Sequence, residues 1–307
     1  MFKISHHSNS FITIEGDNSI LTCDPWIGKT SDNAWHTYPI KDFKDIDEKI
    51  YKSDFIYISH LHCDHLDLKT LKKFKNKNLT FIIKKFDNKV LKKRLQRNFN
   101  HKIVEVEAFK KKKINKDFTV AIIPQIISNN SNLPDNIEYD LDTSIVVQSN
   151  KDKTLFYNNV DNPTNLSVLK KVNKFIIKKF KRKIDIYCCA LGAASEFPQC
   201  FLDLDKEKEK NKIINQSLLK LETFLKFLKP KVFFPAGGNY LIYGKFYKLN
   251  KYIAQPNFQQ ILTKTKKIKT QICNIIGGGY IIFDKLKFSI IPNEKKTRFS
   301  QNKYSKK

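Results

Sequence analysis

Apolar and polar residues alternate along the N-terminal third of the chain in the way that half-buried strands require. Gly, Asp and Asn at 16–18 predict a hairpin turn between two such segments, and an apolar run at 54–59 predicts a buried strand. The predicted strands of this part are 2–5, 10–15, 19–23, 54–59, 79–84 and 102–106, and the predicted helices are 67–74 and 88–98. The chain therefore opens as a β-meander and continues with helices between strands.

Beyond a lysine-rich turn predicted at 110–113, the alternating pattern begins again. The predicted strands are 118–123, 143–148, 154–157, 184–190, 231–234 and 280–283, and the predicted helices are 164–180 and 206–228. Two β-rich stretches, each followed by helix and strand, predict an α/β (α+β) fold in which two sheets pack together between helices. Because no Pro/Gly/Ser linker divides the chain, we expect one domain at 1–291 and a charged, disordered tail at 292–307.

The formal charge of the chain is +27, but only four of its 57 basic residues are arginine. Arginine makes the bidentate contacts that read phosphates and bases, so specific nucleic-acid binding is not expected. A lysine-coated surface is instead expected to attract anionic small molecules. The sequence shows neither a signal-peptide pattern nor an apolar stretch long enough to span a bilayer, which predicts a cytoplasmic protein without a membrane partner.

The run His60-Leu61-His62-Cys63-Asp64-His65 directly follows the buried strand predicted at 54–59. His60 and His62 project to the same side and can hold one metal ion, while the following turn lets Asp64 and His65 bind a second. The alternative is a histidine-bearing loop of satisfied polar groups, but with seven histidines in the chain this spacing is improbable by chance. We expect one or two divalent metal ions, zinc first, with iron or manganese as alternatives.

This motif resembles the signature of the metallo-β-lactamase superfamily. Further segments resemble the metallo-β-lactamase part of CMP-N-acetylneuraminate hydroxylase and its bacterial relatives, and these lie at 21–27, 192–201, 234–240 and 247–250. The resemblance covers about residues 1–290. It implies a four-layer αββα sandwich of two mixed sheets flanked by helices, with the metal site at the edge of the sheets.

The resemblance also implies a set of ligands. His60 and His62 match ligands of the first metal, Asp64 and His65 match ligands of the second, and Asp161 matches the carboxylate that bridges both. Asp161 ends a predicted strand before Asn162-Pro163, where a helix or turn cap is the alternative.

Three further residues are candidates for supporting the site. Asp24 is expected to orient the metal loop through hydrogen bonds, or simply to form a turn. His7, with its neighbour His6, could face the site, and a plain surface pair of histidines is the alternative. The third, Asp142, is a candidate because of a departure from the family pattern.

The superfamily commonly supplies one more histidine before the bridging aspartate and another near the C-terminus. The corresponding places here, 124–128 and 235–238, contain none, and the last histidine in the chain is His101. Either the site binds fewer metal ions, or oxygen ligands such as Asp142, Gln125 or water complete it. Oxygen ligands would move the preference from zinc towards iron or manganese.

The leading hypothesis is a metal-dependent hydrolase whose activated water, positioned or deprotonated by Asp64, attacks an anionic substrate such as a sugar nucleotide or phosphate ester. The alternatives are an iron-dependent oxygenase that works with a separate electron-donor protein, and a non-catalytic binding module. A Rieske cluster needs two closely spaced Cys–His pairs, whereas only Cys63 and His65 form one here. The sequence therefore predicts no Rieske cluster in this chain.

Overall fold

The computed structural model describes residues 1–30, 33–126, 141–284 and 287–293. The strands in these ranges are β1 (Phe2–Ser8), β2 (Phe11–Glu15), β3 (Ile20–Cys23), β4 (Trp35–Thr37), β5 (Phe55–Tyr57), β6 (Thr80–Lys84), β7 (Lys102–Val106), β8 (Lys111–Lys113), β9 (Phe118–Pro124), β10 (Thr143–Ser149), β11 (Leu155–Asn158), β12 (Ile186–Cys189), β13 (Val232–Pro235), β14 (Tyr240–Ile242), β15 (Gln271–Ile272), β16 (Gly279–Asp284) and β17 (Lys287–Ile291). The α-helices are α1 (Leu68–Leu71), α2 (Val90–Asn98), α3 (Leu166–Phe180), α4 (Lys206–Leu228) and α5 (Phe258–Thr265). Among the described residues, 3₁₀ helices lie at Phe43–Asp45, Glu48–Lys52 and Gly244–Tyr252.

The strands form two large mixed sheets. The first has the order β17-β16-β1-β2-β3-β5-β6-β7, in which β1, β2 and β3 form the predicted antiparallel meander and β3, β5, β6 and β7 are parallel. The second has the order β15-β13-β12-β11-β10-β9-β8, with parallel pairing from β11 to β15. A small antiparallel pair, β14 and β4, stands apart from both sheets.

The core between the sheets is built from the inward side chains of both. Phe2 and Ile12 from the first sheet pack in one buried cluster with Phe118, Ile145 and Phe234 from the second. On the outer face of the second sheet, apolar residues of α3, α4 and α5 pack in a separate cluster. The outer face of the first sheet is covered by α1 and α2 together with the residues around 50. These four layers confirm the predicted αββα sandwich.

The long helix α4 illustrates how apolar spacing in the sequence predicts a helix. Asp205 begins it by accepting a hydrogen bond from the backbone of Lys208, and Lys229 ends it in the left-handed conformation with φ 50°. The buried positions follow a helical period and are Ile214, Leu218, Leu221, Phe224, Leu225 and Leu228. The hydrophobic stripe faces the second sheet, so packing and capping agree along the element.

Several elements differ from the prediction. The lysine-rich segment predicted as a turn is an edge strand, β8, which pairs with β9 and keeps all three lysines exposed. The sequence of β8 shows no alternation of apolar and polar residues, because neither face of this edge strand is buried. The short elements β4, β14, β15, β17 and α5 were not predicted, since two to eight residues carry too little periodicity. The predicted tail beyond residue 293 lies outside the described residues.

Within the described part of the chain, no helix has the length and apolar character needed to cross a bilayer.

Candidate metal centre

The histidine run lies where the parallel strands of the first sheet end. Cys23 and Tyr57 are register partners at the ends of β3 and β5, so Asp24 and the segment from Ser59 onward leave the sheet at the same edge. Asp24 accepts a hydrogen bond of 2.8 Å from the backbone N–H of Ser59, and its own backbone N–H donates to Tyr57. Its φ of 40° turns the chain at this point. Asp24 thus fixes the start of the loop.

The first group of candidate ligands consists of His60, His62 and Asp142, whose ligand atoms all lie within 4.8 Å of one another. The Nε2 atom of buried His60 lies 3.1 Å from Oδ1 of Asp142, which immediately precedes β10 in the second sheet. Gln125 holds the backbone of Asp142 through two hydrogen bonds, one from each residue. Burial lowers the pKa of His60 well below its ordinary value, which favours the neutral, metal-binding imidazole.

The second group consists of Asp64, His65 and Asp161. The Nε2 atom of His65 lies 2.8 Å from Oδ2 of Asp161 and 3.5 Å from Oδ2 of Asp64, while Nδ1 lies 3.0 Å from Oδ2 of Asp24. Burial alone would lower the pKa of His65, but the three carboxylates around it hold that pKa well above its ordinary value. Burial raises the pKa of Asp64. Such a concentration of carboxylates around one imidazole suits a cation.

The donor atoms of the two groups fit divalent metal ions. Asp161 Oδ1 is buried without a hydrogen-bond partner among the residues that the structure describes. His60 Nε2 is also buried, and its 3.1 Å approach to Asp142 Oδ1 does not have hydrogen-bond geometry. Buried polar atoms are costly unless something satisfies them, and a metal ion would satisfy both. The rings of His60 and His65 lie 4.2 Å apart, so the two groups adjoin and could hold two ions side by side. Three imidazoles and three carboxylates would then share the coordination.

The structure shows that one position of the histidine-free segment 235–238 has no room for a side chain. Gly237, in the segment 235–238, approaches Asp161 so closely that a Cβ atom on it would lie 2.5 Å from Oδ1. The φ of Gly237 is +95°, which L side chains rarely adopt. The backbone therefore occupies the place of a side chain there. At the other place, Asp142 supplies an oxygen donor beside His60, and residues 127–128 lie outside the described part.

Asn9 is a polar residue of the site that the sequence analysis missed. It lies buried in the turn between β1 and β2 with φ 38°, and its side-chain amide donates a hydrogen bond of 3.2 Å to Oδ2 of Asp64. Its carbonyl groups accept hydrogen bonds from the backbone of Gly237 and Asn239. Asn9 therefore connects the C-terminal loop to the ligand Asp64. An asparagine after an alternating strand is the only signal for it, and that signal also fits an ordinary turn.

His6 and His7 lie outside both ligand groups. The Nε2 atom of His7 makes a hydrogen bond of 3.0 Å with Oγ1 of Thr13, and its ring packs against Phe11. His6 makes a hydrogen bond of 2.7 Å with the carbonyl of Asn9. Both side chains are buried, so the structure supports neither a role for His7 as a site contact nor the alternative of an exposed pair. Their alternation along β1 could not reveal which neighbours cover them.

A cleft of about 850 Å³ opens above the two groups. His62, Asp64 and Asp161 line its floor. Its walls come from β4, the segment 194–206 and the residues that follow β14, and they include Trp35, Ile242, Tyr243, Phe246 and Leu249. Three of the predicted ligands thus line a cavity large enough for a small-molecule substrate.

Solved structures of other proteins share this architecture. A metallo-β-lactamase fold protein of Bacillus subtilis superposes with a TM-score of 0.54 and 10% identity, covering 91% of this chain and 98% of its own. This chain has the metallo-β-lactamase fold. A metallo hydrolase of the archaeon Ignicoccus hospitalis gives a TM-score of 0.55 at 13% identity, with coverage of 92% and 98%.

The diiron β-hydroxylase CmlA of Streptomyces venezuelae also has this fold in part of its chain. It gives a TM-score of 0.55 at 14% identity and covers 88% of this chain but 52% of its own. The metallo-β-lactamase fold is therefore shared by hydrolases and by at least one hydroxylase, and the fold alone does not decide between them.

Sequence comparison gives partial relatives. Cytidine monophosphate-N-acetylneuraminic acid hydroxylase of Xenopus laevis is 25% identical in an alignment of 279 positions that covers 84% of this chain and 41% of the relative. A Mycobacterium tuberculosis protein named as a Rieske 2Fe-2S iron-sulfur protein is 28% identical over 153 residues, covering 48% of this chain and 28% of the relative. The chain spans less than half the length of these curated relatives. No known protein-family model matches it.

Proposed function

We propose that this chain is a metal-dependent hydrolase with a two-ion centre held by His60, His62 and Asp142 on one side and Asp64, His65 and Asp161 on the other. The observation that carries the proposal is that both groups adjoin at the floor of a substrate-sized cleft. When bound, the metal ions would lower the pKa of a water molecule towards neutrality and polarise the bond to be broken.

The chain's own residues would prepare and complete this reaction. Asp24 accepts a hydrogen bond from Nδ1–H of His65, which keeps the proton on Nδ1 and leaves Nε2 available as a ligand. Asn9 holds one oxygen of Asp64. The Asp64 carboxylate then orients the attacking water and accepts its proton, and its burial, which raises its pKa, makes it a better base near neutral pH. A substrate bound against the apolar walls of the cleft would exclude competing water from the site.

An anionic group on the substrate is part of the proposal. A basic recess of about 650 Å³ adjoins the cleft and shares Thr30 and Cys63 with it. Its lining includes Lys29, Lys41, Lys69 and Arg94, together with the carboxylates of Asp42 and Asp67. Inorganic phosphate should inhibit the enzyme through this recess, and R94A should weaken that inhibition several-fold. R97A is the matched control, because Arg97 lies on the same helix but does not line the recess.

Metal analysis tests the centre itself. Protein purified without chelators should contain one to two equivalents of divalent metal, and D64A and D161A should each lose at least half of it. E196Q is the matched control, since Glu196 lines the same cleft without belonging to either group. Unchanged metal content in both aspartate variants would refute the ligand assignment.

An iron-dependent oxygenase that works with a separate electron-donor protein is the second candidate. The observation that favours it is Asp142, which together with His60 and His62 gives the two-histidine, one-carboxylate set typical of non-haem iron. The hydroxylases among the similar proteins support it as well. Bound iron with oxygen-dependent turnover would establish this candidate. Bound zinc, or manganese with oxygen-independent turnover, would support the hydrolase.

A further inference from the structure

The walls of the cleft contrast with the rest of the surface. The chain carries a net charge of +27, yet Lys206 is the one lysine or arginine among the described residues that line the cleft. Two large apolar side chains of the lining are strongly exposed, Leu202 by 79% and Phe246 by 57%. Single exposed apolar residues are ordinary, but a concave set of them marks a place where a ligand is bound.

The apolar wall is firmly supported from behind. The ring of Trp35 stacks on Tyr240 with centroids 4.2 Å apart and an angle of 20° between the planes. Tyr240 and Ile242 are buried in one cluster with Trp26, and Leu249 packs against that cluster. Because these residues pack as one cluster, this part of the wall is held in a fixed position.

We propose that the cleft binds a hydrocarbon group of the substrate, an alkyl chain or an aryl ring, directly beside the metal centre. This inference rests on the proposed function, because it takes the floor of the cleft to be a metal centre. It adds the chemical class of the substrate. The occupant is a small molecule because the site is concave, has a volume of about 850 Å³ and ends on the candidate metal ligands His62, Asp64 and Asp161. A protein partner would need a broader and flatter surface.

Gln199 indicates that the same ligand also carries a hydrogen-bond donor. It is 1% exposed and lines the cleft, and its side-chain amide nitrogen donates to the hydroxyl of Tyr240 and to the carbonyl of Ser195. Its Oε1 atom has no hydrogen-bond partner among the residues that the structure describes. A buried acceptor of this kind needs a donor, and a donor on the ligand would supply it. The substrate therefore combines a hydrocarbon group with an N–H or O–H donor.

The test measures binding to metal-free protein by calorimetry, so that it does not depend on the reaction. The probes are N-butyl-, N-hexyl- and N-octylacetamide, which carry no charge and one N–H donor. Each methylene that enters the cleft should lower Kd by about fourfold. The double variant L202S/F246S should weaken octyl binding about tenfold and flatten the dependence on chain length. Both residues are exposed, so the variant should fold normally.

The matched control is I177S/L219S, which replaces two apolar side chains that are 42% and 54% exposed on α3 and α4 and do not line the cleft. It should leave every Kd within twofold of the parent value. Equal weakening in both double variants, or a Kd independent of chain length, would overturn the proposal. Self-association of the parent that is lost only in L202S/F246S would assign the surface to a second copy and would overturn it too. Metal content of the parent protein as purified, before the metal is removed for calorimetry, reports separately on the proposed function.

Discussion

At the scale of single residues, the candidate ligands depend on neighbours that do not themselves bind metal. Asp24 accepts hydrogen bonds from the backbone N–H of Ser59 and from the ring of His65. Asn9 donates a hydrogen bond to Asp64 and accepts one from the backbone of Gly237. Both Asp24 and Asn9 have positive φ, at 40° and 38°, which Asn and Asp tolerate better than other residues with a side chain. These residue types therefore both allow the backbone to turn and supply hydrogen bonds to the candidate ligands.

Substitution of Asn9 separates these two roles. N9A and N9G both remove the hydrogen bonds to Asp64 and Asn239, and each should lower the free energy of unfolding by about 1–3 kcal/mol and reduce activity. N9G should be the more stable of the two by about 1 kcal/mol, because glycine adopts the left-handed conformation without strain. Chemical denaturation measures the difference. Equal stability of N9A and N9G would show that the backbone conformation at this position carries no cost.

His7 makes the stability of the fold depend on pH. Burial, assisted by the positive charges of Lys41 and His6, lowers the pKa of His7 from 6.5 to about 3. Below pH 6.5 the His7 side chain binds a proton in the unfolded chain but stays neutral in the folded chain. The neutral His7 therefore contributes stability above pH 6.5, and the fold loses this contribution on acidification. Between about pH 7 and pH 5 the loss should be about 2 kcal/mol. H7Q should remove that part of the pH dependence, measured by denaturation at both pH values; an unchanged slope would contradict it.

At the scale of elements, the site depends on one contact between the two sheets. The hydroxyls of Tyr57, at the end of β5, and Thr143, at the start of β10, lie 2.6 Å apart, and Thr143 also donates to the carbonyl of Ser59. These bonds connect the strand before the histidine run to the strand after Asp142. The positions of His60 and Asp142 are thereby linked, although 82 residues separate them in the sequence.

Removing this connection should loosen the metal site. T143V keeps the shape of the side chain but leaves the Ser59 carbonyl and the Tyr57 hydroxyl buried without their partner, at a cost of about 1–3 kcal/mol in unfolding free energy. It should also weaken metal binding, measured by titration of chelator-treated protein. Y57F is the matched control, because it removes one hydroxyl and keeps the bond from Thr143 to Ser59. A smaller effect on metal affinity is expected for Y57F, and the reverse order would contradict the linkage.

At the scale of the whole molecule, the six candidate ligands come from both sheets. Four lie after β5 in the first sheet, while Asp142 and Asp161 adjoin β10 and β11 in the second. The buried cluster between the sheets also contains residues of both. A metal ion bound there would connect the two sheets, so its binding energy would add to the stability of the entire fold.

Chelation should therefore lower the melting temperature of the whole chain in one transition. At a free metal concentration one hundred times Kd, binding adds about 2.7 kcal/mol, which raises Tm by about 4 °C in a protein of this size. Scanning calorimetry with and without a chelator measures the shift. D161A should abolish most of it, and a full shift in that variant would show that the stabilising ion binds elsewhere.

The sequence by itself determined the elements and part of the site. Period-2 and period-3.6 patterns are local, so β1, β5, β10, α3 and α4 could be predicted from them within a few residues. The run from His60 to His65 is local as well, and its spacing indicated a metal site before any fold was known. The exposed strand β8 escaped prediction because a strand with no buried face has no hydrophobic pattern.

Only the tertiary structure decided what completes the site. Asp142 reaches the histidine run from the second sheet, Asn9 reaches it from the turn between β1 and β2 of the first sheet, and the backbone of Gly237 packs on Asp161 where a side chain would not fit. The sequence gives no distance between such residues, because proximity across sheets is set by strand order and register. The same holds for the apolar cleft, whose walls come from segments far apart in the chain. A motif of neighbouring residues can be recognised in the sequence, whereas the residues that surround each metal ligand are set by the tertiary packing.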